Sequence, residues 1–320
     1  MFIYVMRRLV LFVPTLLGVT IVIFLLVRLV PGDIAEILVH DSGNLPPDEV
    51  ERQIADIRSE LGLDQPMVLQ YLVWVKGTLV GNFGFSYWEQ RPVSEIIASR
   101  FPISMELALL TIFLAMLWAV PLGVVSAVKQ NTWADYLVRV LSISGLSIPL
   151  FLTGILILYF LIAWFSWLPP LEYIHFWDNP GENLSQLIWP ALAQALYISA
   201  PITRLTRSQM LDVIREDYVR TARSKGLGER VVVYHHALRN AMLPVITFIG
   251  WWGGRLLGGL VIMEIIFGIP GMGTSLIDAV NHRDYPTVQA IVFLMAMIFL
   301  LLNLLIDLLY GVLDPRIRYS

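Results

Sequence analysis

Apolar residues along this chain run in long uninterrupted stretches that are separated by shorter polar ones. Six of these stretches are long enough to cross the roughly 30 Å hydrocarbon core of a bilayer, at about 1.5 Å of helix per residue. They cover Leu9–Val27, Ile103–Val128, Val140–Trp167, Leu184–Ile202, Ala241–Phe267 and Val288–Leu313. The first has no small-residue cleavage site, so we predict a retained span rather than a signal peptide. The pattern predicts an all-α membrane protein with six transmembrane helices.

Residues 34–100, between the first two spans, have the composition of a soluble segment and carry more acidic than basic residues. Pro47 stands where a helix begins, acidic residues fill the next turn, and Gly62 supplies a stop, which together predict an amphipathic helix. Aromatic residues follow in a stretch punctuated by glycine; they are Trp74, Phe83, Phe85, Tyr87 and Trp88. We interpret them as a docking surface for a partner protein. Packing onto the membrane domain is the alternative.

A polar, basic island, residues 214–244, interrupts the apolar pattern before the fifth span. Its first half predicts a short amphipathic helix, since Glu216 stands four residues before Arg220 and apolar residues recur every four positions, at Ile214, Tyr218 and Ala222. Gly226 and Gly228 end this pattern, because glycine adopts the positive φ that a helix stop requires. A second short helix is predicted to carry Tyr234, His235, His236, Leu238 and Arg239. A solvated loop without further role is the alternative.

Composition excludes several classes of protein. Hydrophobic residues make up 57% of the 320 residues and charged residues 15%, which is too apolar for a soluble domain. The chain has no cysteine, so it has neither disulfides nor a thiolate nucleophile. The Gly/Pro-rich residues 267–273 predict a tight external hairpin or a re-entrant loop. Because no stretch has the form GxxxxGK[ST], we expect no ATP hydrolysis by that machinery.

The distribution of basic residues predicts the orientation in the membrane. With six spans, one side carries Arg7, Arg8, Lys129, Arg139, the cations of the polar island, Arg316 and Arg318. The positive-inside rule makes this side cytoplasmic, and both termini lie on it. Residues 166–183 contain three acidic and no basic residues, so they are predicted to lie outside together with 34–100.

The polar island also carries a recognisable motif. Arg220-Thr221-Ala222, Gly226 and His236-Ala237-Leu238-Arg239-Asn240 resemble the cytoplasmic coupling motif of ABC-importer permeases, in the version of the dipeptide/oligopeptide/nickel family. The general motif is Glu-Ala-Ala, then Gly, then Ile-x-Leu-Pro, and the chain matches it at Ala222, Gly226 and Leu238. Its departures at Arg220, Thr221, His236 and Arg239 fit the peptide-family version. The resemblance implies an ATPase-coupling set of Glu216, Tyr218, Arg220, Thr221, Ala222, Lys225, Gly226, His236 and Arg239.

Further landmarks of the same family extend the resemblance over nearly the whole chain. They are Pro31-Gly32-Asp33, Leu61–Pro66, Arg91-Pro92-Val93, Arg100-Phe101-Pro102, Pro270-Gly271-Met272-Gly273, Arg283-Asp284-Tyr285-Pro286 and the C-terminal Asp314–Tyr319. Asn82 departs from the family's aspartate. The long segment after the first span resembles that of the B-type permease. We therefore expect an N-terminal transmembrane helix at 1–33, an extracytoplasmic segment at 34–100, and a permease core at 101–320 whose coupling region is 211–240.

The resemblance implies a permease subunit of an ATP-binding-cassette importer in a prokaryotic inner membrane. Such a subunit forms the translocation path for peptides or similar small solutes that a solute-binding protein delivers. The implied partners are a C-type permease and two ATP-binding subunits, which bind ATP and Mg. For this chain we expect contact with membrane lipid but no enzymatic activity, cofactor, metal or nucleic acid. The substrate stays open among dipeptides, oligopeptides, nickel chelates, glutathione and sugars.

Two other classes of membrane protein compete with this interpretation. An ion-coupled secondary transporter needs carboxylates near the membrane midplane, but Glu106, Glu264 and Asp307 lie toward the ends of predicted spans. An intramembrane hydrolase needs a Ser/His pair at membrane depth, and the histidines fall in predicted loops and in the polar island. The adjacent His235 and His236 also make a poor metal site, because neighbouring side chains on a helix point in different directions.

Arg255 lies about midway along the fifth predicted span, roughly 20 Å from its start along the helix axis. A guanidinium at that depth is costly unless it faces a cavity or a partner. Two hypotheses follow. Arg255 lines the translocation path and contacts an anionic group of the solute, or it pairs with Asp307 of the sixth span or with carbonyl groups of the partner permease.

Overall fold

The computed structural model describes residues 2–29, 46–60, 62–170 and 172–313 of the chain, which are almost entirely helical. In chain order the helices are α1 (Phe2–Leu29), α2 (Pro47–Glu60), α3 (Met67–Leu79), α4 (Val93–Val128), α5 (Trp133–Ser147), α6 (Leu150–Phe165), α7 (Pro180–Ile214), α8 (Asp217–Ser224), α9 (Leu238–Phe267), α10 (Met272–Asn281) and α11 (Tyr285–Leu313). A helical turn at Glu229–Val231 and a π-helical turn at Val232–Ala237 lead directly into α9. Two short strands, β1 (Phe85–Ser86) and β2 (Arg91–Pro92), pair antiparallel. The family landmarks at 31–33 and 314–319 lie outside the described residues.

Three helical segments are long and apolar enough to cross a membrane: Met6–Leu26, Val93–Val128 and Tyr285–Leu308. The number rises to five if α5 with α6, and the two arms of a bent α9, each count as one span. Helix α7 is 35 residues long but is not among them, and it buries polar side chains such as Gln186 and Gln194. The six-span count therefore stays a prediction.

The span predicted at Val140–Trp167 is not one continuous helix. Helix α5 ends at Ser147, α6 begins at Leu150, and the two are inclined by 100°. Pro149 lies at the break, where its ring disfavours a helical conformation of the preceding residue and its missing N–H cannot continue the hydrogen-bond ladder. The apolar sequence continues through the break, which is why the length of the stretch did not reveal it.

The main core lies between α4, α7 and α9. It contains large apolar side chains, such as Leu107 and Ile198, together with alanines that let the helices come close. One close approach is at Gly123 of α4, where an added Cβ would lie 2.6 Å from Thr206 Cβ of α7. Small residues at such crossings are how membrane helices gain packing contacts without a hydrophobic driving force.

The segment between α1 and α4 partly follows the prediction. Helix α2 begins at Pro47 and ends before Gly62, whose φ is +64°, so this amphipathic helix is confirmed. Helix α3 packs on the membrane helices. The Tyr71 hydroxyl is hydrogen-bonded to Thr20 Oγ1 of α1 at 2.8 Å, and the Trp74 and Phe293 rings lie 6.3 Å apart, centre to centre, between α3 and α11. The Gly/Pro-rich residues 267–273, which were expected to form a tight hairpin or a re-entrant loop, contain a non-helical turn at 268–271 that leads into the ten-residue helix α10.

Candidate functional site

The first half of the polar island folds as the short helix α8. Its buried residues are Val219 and Ala222, which pack with Val232. The predicted helix is confirmed, but its predicted apolar face is partly wrong. Ile214 is the last residue of α7 and Tyr218 is exposed, because α8 begins only at Asp217 and its contacts select a different stripe of the helix.

The glycine corner, residues 225–229, follows α8. Gly226 has a φ of +80°, as the helix stop requires, whereas Gly228 has a φ of −60° and begins the next helical turn. Arg223 donates to both carboxylate oxygens of Glu229, at 3.2 Å and 2.7 Å, and so ties the two sides of the corner together. These hydrogen bonds raise the pKa of Arg223 and lower the pKa of Glu229.

The second helix of the polar island is not a separate element. The π-helical turn continues into α9 without a break, so the prediction of a second short helix is wrong in this respect. Inside this turn, Val233 and Ala237 pack against Val124 of α4 and Met210 of α7. Movement of the corner would therefore be transmitted directly to three long helices.

Most of the predicted coupling residues lie on the exposed surface of α8 and the residues beside it. The exposed ones are Glu216, Tyr218, Arg220, Thr221, Lys225, Gly226 and Arg239. His236 is half-buried, and Ala222 is buried as part of the helix support. Asn240 of α9 donates to the hydroxyl of Tyr218 at 2.7 Å, which fixes α8 against α9. The structure thus brings the predicted residues into one polar, cation-bearing surface with an apolar base.

An ion pair near this surface was missed in the sequence. Asp135 of α5 is fully buried and accepts from Nε and Nη2 of Arg207 of α7, at 2.8 Å and 2.9 Å. Ser126 Oγ and the Asn131 amide also donate to this carboxylate. The pair joins the ends of α4, α5 and α7. No sequence signal relates two residues that are 72 positions apart on helices of unknown packing.

A second missed site is Glu264 of α9, which is fully buried. Its carboxylate accepts from Ser104 Oγ of α4 at 2.5 Å and from the amides of Gly273 and Thr274, at 2.7 Å and 3.1 Å. It therefore holds the start of α10 against α4 and α9. The closely spaced glycines of this region were the one sequence signal for this site. Glycine is required at 271 because an added Cβ would clash with the Glu264 carboxyl group.

The other two carboxylates near predicted span ends also have partners. Glu106 accepts from the Tyr173 hydroxyl at 2.9 Å and from Asn183 at 3.1 Å. Burial, and then the contact with Glu106, raise the pKa of Tyr173. Asp307 pairs with Arg8, with 2.9 Å between Oδ2 and Nη1. Among the described residues, no group of three or more histidine or acidic side chains is arranged to hold a metal ion.

The aromatic residues of the predicted docking surface are divided by the structure. Trp74 is half-buried against α1 and α11, and Phe83 and Tyr87 are also half-buried. Phe85 and Trp88 are 39% and 53% exposed on the hairpin β1–β2. This hairpin is attached to the start of α11, because Ser86 donates to Asp284 at 2.5 Å.

Arg255 lies on an exposed face of α9, with its guanidinium 4.9 Å from the ring of Trp251 and 5.9 Å from that of Trp252. Among the described residues, no carboxylate is within salt-bridge distance of it. The hypothesis that it pairs with Asp307 is therefore wrong for this chain, since the Asp307 carboxylate faces α1 and Arg8 instead.

Comparison with known families gives two matches that together cover nearly the whole chain. Residues 119–319 match the family described as "Binding-protein-dependent transport system inner membrane component". Residues 1–108 match the family described as "Binding-prot-dependent transport system membrane comp, N-term".

Similar proteins agree with this family. The chain is 40% identical over 317 residues to the glutathione transport system permease protein GsiC of Salmonella typhimurium, which covers 99% of both chains. It is 37% identical over 336 residues to the dipeptide transport system permease protein DppB of Alkalihalophilus pseudofirmus, again with 99% of both covered. A solved structure, "Crystal structure of an amino acid ABC transporter with histidines", has a TM-score of 0.51 at 15% identity, covering 70% of this chain and 94% of that one. The chain belongs to the binding-protein-dependent transport system inner membrane components, and it is a permease subunit of an ABC importer whose ATPase activity resides in separate subunits.

Proposed function

We propose that the chain is the B-type permease of an importer for glutathione, dipeptides or similar small peptides. It pairs with a C-type permease, two ATP-binding subunits that hold ATP and Mg, and an external solute-binding protein. Support for the solute class comes from the relatives, which are permeases of glutathione and dipeptide transport systems.

The α8 surface with the glycine corner is the proposed site at which an ATP-binding subunit docks. One observation carries this assignment: α8 exposes cations, including Arg220 and Lys225, while Val219 and Ala222 anchor it from below. Exposed guanidinium and ammonium groups suit charge-assisted contacts with a partner's cleft. Because the corner continues into α9, closure of the ATP-binding subunits would tilt α9 as a rigid lever.

The proposed orientation places both termini and the glycine corner in the cytoplasm, and α2, α3 and the β1–β2 hairpin outside. The basic-residue asymmetry supports it. The absence of native cysteine makes labelling simple. A cysteine that replaces the exposed Ser59 of α2 should react with an impermeant thiol reagent from the outside only. Reaction from the cytoplasmic side alone would contradict the orientation.

The function itself is tested by reconstitution. The four membrane and ATP-binding subunits are placed in proteoliposomes with the purified binding protein, and uptake of labelled glutathione and of labelled alanyl-alanine is measured with and without ATP. We expect ATP-dependent uptake of at least one of them. Uptake of neither, in a complex whose ATPase responds to the loaded binding protein, would show that the solute class is different.

A further inference from the structure

Helix α9 is bent next to Arg255, the one arginine in its apolar part. The helical run Glu229–Leu256, which passes from the turns at 229–237 into α9, is inclined by 57° to the last part of α9, Gly258–Phe267, so Arg255 stands near the end of the first run. Bends of this size occur at glycines, and Gly258 and Gly259 follow directly. Interrupted helices in membrane transporters commonly form the solute site, because the break leaves backbone polar groups that must be buried in protein or line a water-filled cavity.

One face of α9 is left uncovered by the rest of the described chain. Its positions recur at spacings of four and three residues, as one helix face requires; they are Trp251, Arg255, Gly258, Ile262 and Ile265. Beside this face the helix packs closely on α11, since an added Cβ at Gly254 would lie 2.6 Å from the Phe299 ring. At Gly258 an added Cβ would meet nothing within 4 Å. The open face therefore leaves room for a ligand next to Arg255.

The guanidinium of Arg255 has aromatic but no anionic neighbours among the residues that the structure describes. It lies over the indole rings of Trp251 and Trp252, which attract a cation through their π faces. It donates no hydrogen bond to a described residue, and Asp307 is engaged by Arg8. Stacking of this kind orients a guanidinium while its N–H fork stays available for two parallel bonds to a carboxylate.

Two further polar atoms near this part of α9 are buried without a hydrogen-bond partner among the described residues. They are Nε1 of Trp252 and Oε1 of Gln194. Gln194 belongs to α7 and reaches α9 at Gly259, where an added Cβ would lie 2.4 Å from its amide nitrogen. Gly259 is one turn beyond Arg255 on the same side of the helix. Unsatisfied polar groups next to a cation favour a polar path over a purely lipid-facing surface.

We propose that Arg255 is a binding residue of the translocation path and makes a bidentate contact with a carboxylate group of the passing solute. This inference rests on the proposed function, because it requires that the solute crosses along α9. A carboxylate of the partner permease and the phosphate of a lipid are the two other anions that this guanidinium could meet, and the experiments separate them.

The first experiment uses Arg255→Cys in a complex whose other subunits are also free of cysteine. Transport by the reconstituted variant is measured after treatment with a trimethylammonium-ethyl or a sulfonato-ethyl methanethiosulfonate. We expect the cationic reagent to restore uptake several-fold and the anionic reagent to leave it low. Phe113→Cys is the control, since it lies on an exposed, apolar stripe of α4 and should react little with either hydrophilic reagent. A cysteine at 255 as unreactive as the control would overturn the proposal in favour of lipid or partner contact.

The second experiment measures the charge preference directly. Uptake of alanyl-alanine and of its C-terminal amide is compared in wild type, Arg255→Gln and Arg255→Lys, with binding protein saturated by either solute. We expect Arg255→Gln to lower uptake of the free acid about tenfold, the effect of one lost charge-assisted hydrogen bond, and to change uptake of the amide little. Arg255→Lys should recover part of the loss.

The matched control is Arg139→Gln, which removes another arginine stacked on an aromatic ring, 5.4 Å from Tyr136 of α5, away from the bend. It should leave both uptake rates unchanged. Equal loss of acid and amide uptake by Arg255→Gln, or dissociation of that complex during gel filtration, would assign Arg255 to the subunit interface. If the wild type takes up neither peptide, the proposed solute class fails, whereas the extent to which the two methanethiosulfonates label Arg255→Cys and Phe113→Cys still decides whether this face lines water.

Discussion

Asp307 of α11 and Arg8 of α1 form an ion pair, with 2.9 Å between Oδ2 and Nη1, that joins the last long helix of the described chain to the first. The two helices also meet through α3, whose Trp74 ring packs against Phe24 of α1 and Phe293 of α11. The first helix is thus fixed to the permease core by a charged contact at one level and by aromatic packing at another.

Breaking this ion pair should weaken the attachment of α1. Asp307→Asn removes the charged oxygen that lies 2.9 Å from Arg8 Nη1, so we expect the melting temperature of the detergent-solubilised protein to fall by roughly 2–4 °C, as a loss of about 1 kcal/mol would produce. The double variant Arg8→Gln/Asp307→Asn should recover part of the loss. Melting temperatures that are additive in the two changes would mean that the pair contributes nothing.

The glycine corner offers a matched pair of substitutions. Gly226→Pro forces a φ near −65° where the native value is +80°, whereas Gly228 already has a φ of −60°. We expect Gly226→Pro to lower ATP-driven uptake about tenfold while ATP hydrolysis continues, and Gly228→Pro to have a much smaller effect.

A second variant tests whether the positive charges of the α8 surface are needed for docking of the ATP-binding subunit. The double change Arg220→Glu/Arg223→Glu reverses two exposed cations and also breaks the hydrogen bonds between Arg223 and Glu229, so uptake should fall for both reasons. The single change Glu229→Gln separates them, because it weakens the corner but keeps both cations. Wild-type coupling in Gly226→Pro and in the double variant would refute the role of this region.

Attachment of the β1–β2 hairpin should depend on pH through Asp284. Its carboxylate accepts from Ser86 and Thr287 through Oδ2, its Oδ1 has no hydrogen-bond partner in the described part of the chain, and burial raises its pKa. A raised pKa means that the folded protein holds this proton more tightly than the unfolded chain. The stability that Asp284 contributes is therefore fully present below the ordinary aspartate pKa, and it is lost as the pH rises through the raised pKa of the folded protein. Melting curves across acidic pH should show this slope in wild type and lack it in Asp284→Asn; an unchanged slope would exclude Asp284 as its source.

The exposed aromatics of the hairpin should contact the solute-binding protein. Phe85→Ala with Trp88→Ala removes the two most exposed rings and should weaken binding of the purified binding protein about tenfold or more, measured by surface plasmon resonance, without a change in melting temperature. Trp74→Ala is the contrasting variant, since this ring packs on α1 and α11 and its loss should lower stability. Unchanged affinity in the double variant would leave packing onto the membrane domain as the role of this segment.

The sequence by itself determined the features that depend on neighbouring residues. Long apolar stretches predicted a helical membrane protein, Pro47 and Gly62 predicted α2, and Gly226 predicted the corner with its positive φ. Each of these follows from the conformational preference of a residue or from a local period, so no tertiary information was required. The coupling motif was visible for the same reason, because its residues are close in the chain.

Tertiary structure alone decided which face of α8 is buried and which charges meet. Asp135 finds Arg207 across 72 positions, Asp307 finds Arg8 rather than Arg255, and Glu264 caps α10. Such pairings depend on how the long helices cross and rotate, and apolar stretches in a membrane protein carry little information on rotation, because both lipid and core are apolar. The break at Pro149 was not predicted for a related reason. The length of an apolar stretch shows whether it can cross a membrane, whereas the direction of each helix is set by the helices it packs against.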